Sequence, residues 1–289
     1  MKRLLPILFY CFTVGAVFAQ NDPETHYKSG LHYIGKRQFI DAIKEFTEAI
    51  SLKNDFADAY YQRAVAKKLY CDETGCINYD FCADLIKSVE HGNGKDAAAM
   101  LVKECASECY ALEAAMMEPE KVFCADFSRS KLSVLPNAFR NIGKLTHLNI
   151  SDNEFTVLDE KIADKKYIFL LDFSNNKIKA IPDWIGKCVY LTELYANDNS
   201  LEQINGKLGF LTRLQNLQIR NNFLSDLPKE LVNLNNLTSL DISFNEFTTV
   251  PEVIFAMKQL KFLDISGNEI GENDKQKLKE ALPNTEIKF

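Results

Sequence analysis

The chain has 289 residues and a formal net charge of −6, from 34 lysines and arginines against 40 aspartates and glutamates. Such a balance lacks the basic stripe that phosphate contacts require, so nucleic acid is excluded as the expected partner. The length suits either one long array or two domains.

In chain order, the first element is a short cationic start, Met1-Lys2-Arg3. The apolar run LLPILFYCFTVGAVF follows, and Val17-Phe18-Ala19 supplies small residues before Gln20. These are the parts of a secretory signal peptide, assigned to residues 1–19 with cleavage after Ala19. The run falls short of the ~20 residues needed to cross a bilayer. Leu8-Phe9-Tyr10 ahead of Cys11 lacks the small residue of a lipoprotein cleavage site. The mature chain is therefore expected to be exported from a bacterial cell, secreted or periplasmic, and not membrane-spanning.

Residues 20–93 carry one helical period. In PETHYKSGLHYIGKRQFIDAIKEFTEAISLKNDF, the residues Gly30, Tyr33, Ala42, Phe46 and Ala49 have the spacing of a tetratricopeptide repeat, which this segment resembles. A second copy begins at ADAYYQRAVAKKLY, with Ala64 at the small-residue position. Its second helix, NYDFCADLIKSVEHG, comes late because CDETGC is inserted at the turn. The resemblance implies a groove lined by Tyr27, Leu31 and Ile34 from one copy and Tyr61, Val65 and Lys68 from the next. Tyr27 and Leu31 do not supply the Lys and Asn of the family's carboxylate clamp. An apolar groove fits an amphipathic helix or an extended peptide, unless the chain's own cap covers it. Residues 94–120, including GKDAAAMLVKECASECYALEAA, read as one capping and linking helix.

A second period fills residues 121–289. Ser130, Asn153, Asn176, Asn199, Asn222, Asn245 and Asn268 recur every 23 residues without an insertion. An apolar residue stands eight before each asparagine (Leu145 to Leu260), five before (Leu148 to Leu263) and two after (Phe155 to Ile270). The spacing L-x-x-L-x-L-x-x-N-x-L resembles the leucine-rich repeat, in seven copies closed by a C-terminal cap at GENDKQKLKEAL. The resemblance implies short strands stacked into a parallel sheet on the concave side of a horseshoe. L-P-x-x-[IL] segments would turn on the convex side, and the asparagine amides would satisfy the inward turn. The expected fold is thus an α-helical tetratricopeptide array followed by a leucine-rich-repeat horseshoe.

On such a horseshoe the two residues flanking each central strand leucine face the concave space. One column reads Asp126, Asn149, Asp172, Tyr195, Gln218, Asp241 and Asp264; the other includes His147, Leu170, Glu193 and Phe262. With Phe244 nearby, these residues other than Asp126 are the candidate protein-binding residues, because exposed aromatics beside polar groups anchor interfaces. The aspartates point to a basic or hydrogen-bond-donating ligand, although L-D-x-S is also ordinary usage in this family.

Eight cysteines become seven once Cys11 is removed with the leader. Register places Cys188 in the core, leaving Cys71, Cys76, Cys82, Cys105, Cys109 and Cys124 as disulfide candidates in an oxidising compartment. The connectivity expected from proximity is Cys71–Cys76, Cys82–Cys105 and Cys109–Cys124. A zinc site is the rival, but the spacings lack paired C-x₂-C knuckles. No H-E-x-x-H, G-x-S-x-G, G-x-G-x-x-G or P-loop is present in the sequence. The expectation is a monomeric, non-enzymatic protein- or peptide-binding scaffold with no cofactor and no metal. The alternatives are an adhesin or sensor for a glycan or host surface, and an accessory subunit of an extracytoplasmic enzyme complex.

Overall fold

The protein is described by a computed structural model over residues 22–75, 81–93, 96–105 and 109–289. The chain divides into two compact units, one ending at Leu101 and one beginning at Val102.

The first unit is a succession of helices: α1 (Pro23–Gly35), α2 (Phe39–Leu52), α3 (Ala57–Thr74), α4 (Phe81–Glu90) and α5 (Asp96–Met100). Each of α1 to α4 packs on the next. The start of α1 is fixed locally, with Pro23 in its first turn and the Asp22 side chain accepting from the Thr25 N–H. Gly30 permits the approach of α1 to α2, since a Cβ there would lie 2.5 Å from the Phe46 ring. Ala42, Phe46 and Ala66 form the core under it. Two polar side chains are buried among the helices, Ser88, whose hydroxyl donates to the Ala57 carbonyl at 2.9 Å, and Asp84. Asp84, 4% exposed, is held by Arg63 at 2.6 Å and Lys67 at 2.8 Å, the pairing that a buried carboxylate needs.

Helical repeats are therefore present, but two expected groove residues serve the core. Tyr27 packs its ring 5.8 Å from Phe46 and 5.0 Å from Phe56, and Ile34 packs against the Ala42–Phe46 cluster. Their i, i+7 spacing puts both on the face of α1 that α2 covers. Leu31 is exposed, whereas Tyr61, Val65 and Lys68 are half-buried on α3, with Lys68 paired to Asp72.

The second unit is a nine-stranded parallel sheet, β1 (Tyr110–Ala111), β2 (Cys124–Asp126), β3 (His147–Asn149), β4 (Leu170–Asp172), β5 (Glu193–Tyr195), β6 (Asn216–Gln218), β7 (Ser239–Asp241), β8 (Phe262–Asp264) and β9 (Glu286–Lys288), in sequential order. Behind the sheet run single 3₁₀ turns; Asp183–Lys187 and Lys229–Asn233 are introduced by a proline, whereas Glu160–Asp164 and Gly206–Phe210 follow Asp159 and Asn205. Between these layers the repeat leucines form one continuous core. Each fully buried leucine contributes roughly 2 kcal/mol, but only when the neighbouring rungs are present to bury it.

The asparagine ladder closes the inward turn. The Asn245 amide donates to the carbonyls of Ile219, Ile242 and Ser243 at 3.0, 3.1 and 3.2 Å, and its Oδ1 accepts from the Leu224 N–H at 3.1 Å. Asn153, Asn176, Asn199, Asn222 and Asn268 repeat the arrangement.

The segment expected as one helix over residues 94–120 is not one helix. After α5 comes a π-helical turn, Leu101–Cys105. Farther on, Tyr110–Ala111 is extended and pairs with Ala125–Asp126, and only then does α6 (Leu112–Met117) begin. The Cys109–Cys124 disulfide, with Cα atoms 4.5 Å apart, ties the residue before β1 to β2 and holds this stretch extended against the sheet edge. The C-terminal cap also adds more than the expected helix. After α7 (Glu272–Ala281), β9 pairs with β8 and covers that edge.

Candidate functional site

Alternation along each strand decides what the open sheet face presents. The central leucines, Leu148 through Leu263, are buried, while their flanking residues on β4 to β8 are half-exposed on the opposite side. Register brings the expected column together: Asp126, Asn149, Asp172, Tyr195, Gln218, Asp241 and Asp264 sit opposite one another on successive strands. Leu170, Glu193 and Phe262 form the parallel column in the same way.

His147 does not face open space. It is 5% exposed, its Nδ1 lies 2.9 Å from the Thr146 hydroxyl, and its Nε2 has no partner among the described residues. Its register neighbours are Leu170 and Cys124, the latter locked to Cys109, so apolar side chains fill this end of the column. Burial pushes its pKa down to about 4, leaving a neutral imidazole.

The aspartates have a structural task besides their charge. Asp126, Asp172, Asp241 and Asp264 each accept through Oδ1 from the N–H two residues on, at 3.0, 2.9, 2.9 and 3.0 Å. Asn149 does the same for Ser151 at 2.9 Å. Asp172 nevertheless has a raised pKa, from burial first and then from the charges of Asp152 and Asp126. One strand over, the Tyr195 hydroxyl donates to Glu193 and accepts from the Asn216 amide at 3.1 Å. Burial and that carboxylate push the phenol pKa up.

Phe244 is not a strand residue. It stands one before Asn245, where the chain leaves the sheet in the left-handed region, with φ 53°. The same position holds Asp152, Asn175, Asp198, Asn221 and Gly267, residue types that accept this conformation cheaply. Sequence reasoning missed this column, although the run of Asp, Asn and Gly before each ladder asparagine was its signal. Phe244 is 47% exposed, and the Arg220 guanidinium lies over its ring at 4.6 Å.

Of the cysteines, Cys188 is free and buried, and burial raises its thiol pKa to about 11. Cys109 pairs with Cys124 as expected, and Cys71, Cys82 and Cys105 are disulfide-bonded as well. Cys76 lies outside the described residues. Among the described residues, no cluster of three or more His, Cys, Asp or Glu is placed to hold a metal, and no helix is long and apolar enough to cross a membrane.

A family model and solved structures are similar to parts of this chain. Residues 212–270 match the family model described as leucine rich repeat. No curated protein sequence matches the chain. A solved internalin from Listeria monocytogenes is similar at 19% identity and TM-score 0.50, over 60% of this chain and 56% of that one. A leucine-rich-repeat protein of Leptospira interrogans is similar at 24% identity and TM-score 0.49, over 60% of this chain and 50% of that one. The chain thus spans about half the length of each solved structure. Residues 212–270 thus carry leucine-rich repeats, and the same 23-residue register and parallel ladder run from β2 to β8.

Proposed function

We propose that this chain is an exported, non-enzymatic scaffold that binds a protein or peptide on the open face of its sheet. The observation that carries this reading is the pair of outward columns. Half-exposed Leu170, Tyr195 and Phe262 lie among acidic and amide side chains on a backbone fixed by ladder hydrogen bonds, with exposed Phe244 at the rim. Such a face offers aromatic anchors and hydrogen-bonding groups in a rigid array, so little ordering entropy opposes binding. Leucine-rich repeats commonly bind proteins, which agrees with the reading. The leader read at residues 1–19 and the disulfides support a role outside the cytoplasm, secreted or periplasmic. Tyr61, Val65 and Lys68 on α3, with Leu31, form a secondary candidate surface.

The test is affinity capture with residues 20–289 from an envelope fraction, followed by binding of the captured partner to a Tyr195→Ala, Phe262→Ala variant. Affinity falls by ~1–3 kcal/mol in total if both are ordinary anchors. Unchanged affinity moves the site off this face.

A further inference from the structure

The sheet face carries a charge pattern that limits what it can hold. On β2 to β8 no strand position is lysine or arginine, while Asp126, Asp172, Glu193, Asp241 and Asp264 all flank the buried leucines. Near the C-terminal edge Lys288 approaches Asp264 at 3.9 Å and lies over the Phe262 ring, so that end is partly neutralised. Among the described residues no ion pair joins a Lys or Arg to Asp126, Asp172 or Glu193 on β2 to β5, where Leu170 and Tyr195 supply apolar surface between these acids. A second copy of this chain is a poor occupant, because it presents the same acids and a net charge of −6.

Spacing narrows the choice further. Asp126 and Asp172 are two strands apart in one register column. Neighbouring strands lie about 4.8 Å apart, which separates the two carboxylates by about 10 Å. A polyproline-II chain rises about 3.1 Å per residue with three residues per turn, so its residues i and i+3 share a face about 9 Å apart. A β-strand would put i and i+3 on opposite faces.

We infer that β2 to β5 hold an extended, polyproline-II-like segment of a partner protein with lysine or arginine at every third residue. One cation sits at Asp126, the next sits beside Asp172 and Glu193, and an apolar side chain lies on Leu170 and Tyr195. The inference rests on the reading above, since it names the partner of the same face.

The probe is the fluorescein-labelled peptide KPPKPPK, compared by anisotropy with KKKPPPP and EPPEPPE on the mature chain. KPPKPPK binds most tightly, weakens as salt is raised, and loses about tenfold in affinity to an Asp126→Asn, Asp172→Asn double variant, about threefold for each charge. These variants keep their turns, because Asn149 already makes the same bond to the N–H two residues on. A melting temperature no lower than the parent's confirms this for the double variant. Equal binding of the lysine and glutamate peptides, equal binding of both lysine arrangements, or full binding by the double variant overturns the inference. A captured natural partner that depends on Tyr195 and Phe262 but not on Asp126 and Asp172 overturns it too, and leaves the face as the docking surface.

Discussion

The Phe244 ring lies in the space that Gly267 leaves open on the next rung. A Cβ on Gly267 would come within 2.7 Å of that ring. Both residues occupy the left-handed position before a ladder asparagine, with φ 53° and 68°. An aromatic residue there is strained, because a large side chain adopts the left-handed region less cheaply than Gly, Asn or Asp.

Two substitutions separate the strain from the packing. Phe244→Asn places a residue suited to this backbone and raises stability by ~0.5–1 kcal/mol, while weakening the partner captured on the sheet face. Gly267→Ala adds both a left-handed penalty and a collision, and lowers stability by about 1–3 kcal/mol. Chemical denaturation of the two variants checks both signs. Destabilisation by Phe244→Asn would remove the case for strain.

Asn245→Leu keeps the side-chain size but strands the carbonyls of Ile219, Ile242 and Ser243 and the Leu224 N–H. Each important partner lost costs ~1–3 kcal/mol. Asp241→Asn, four residues earlier, keeps its bond to Ser243 and is nearly neutral. Hydrogen exchange should show the Asn245 damage spreading through the adjoining rungs toward α7, with α1 to α4 unaffected. A larger effect from Asp241→Asn would contradict the ladder.

His147 sets a pH dependence. Its folded pKa of about 4 lies below the ordinary 6.5, so the unfolded chain binds the proton more readily. The stability it contributes is fully present above pH 6.5 and is lost as pH falls through that window toward 4, by on the order of 2 kcal/mol. Thermal melts between pH 7 and pH 4.5 should show a smaller acid loss for His147→Gln than for the parent. Parallel curves would mean that His147 is solvated.

The Asp172 carboxyl has the opposite sign, because its folded pKa is raised by burial and by neighbouring acids. Its charge opposes folding once pH exceeds the folded value, and that cost vanishes below the ordinary carboxylate range. Asp172→Asn therefore raises the melting temperature at pH 7 and leaves it unchanged at strongly acid pH. A lower melting temperature at pH 7 would show that the carboxylate is paired.

The unfolded, unreduced chain of residues 20–289 should titrate one thiol, Cys188. In the native state the same thiol should react slowly at pH 8, being buried with a pKa near 11. Ellman titration before and after unfolding tests both statements. Three or more thiols in the unfolded chain would refute the pairing of the other cysteines.

The sequence alone determined the strand register, the asparagine ladder and the core place of Cys188, because a solenoid repeats one set of contacts every 23 residues. It also placed the Asp126 to Asp264 column on one face, through the two-residue alternation of a strand. Tertiary structure decided what the period does not encode. The two flanking strands lie outside the repeat: Tyr110–Ala111 pairs with β2 beside the Cys109–Cys124 bond, and Glu286–Lys288 pairs with the edge that β8 offers. His147 shares its column with Glu193 and Phe262 yet is buried, because solvent access depends on which neighbours close over a position. Tyr27 likewise turned inward because Phe46 and Phe56 meet it from other elements. Periodicity fixes what repeats along the chain, and burial at the ends of an array depends on contacts made only once.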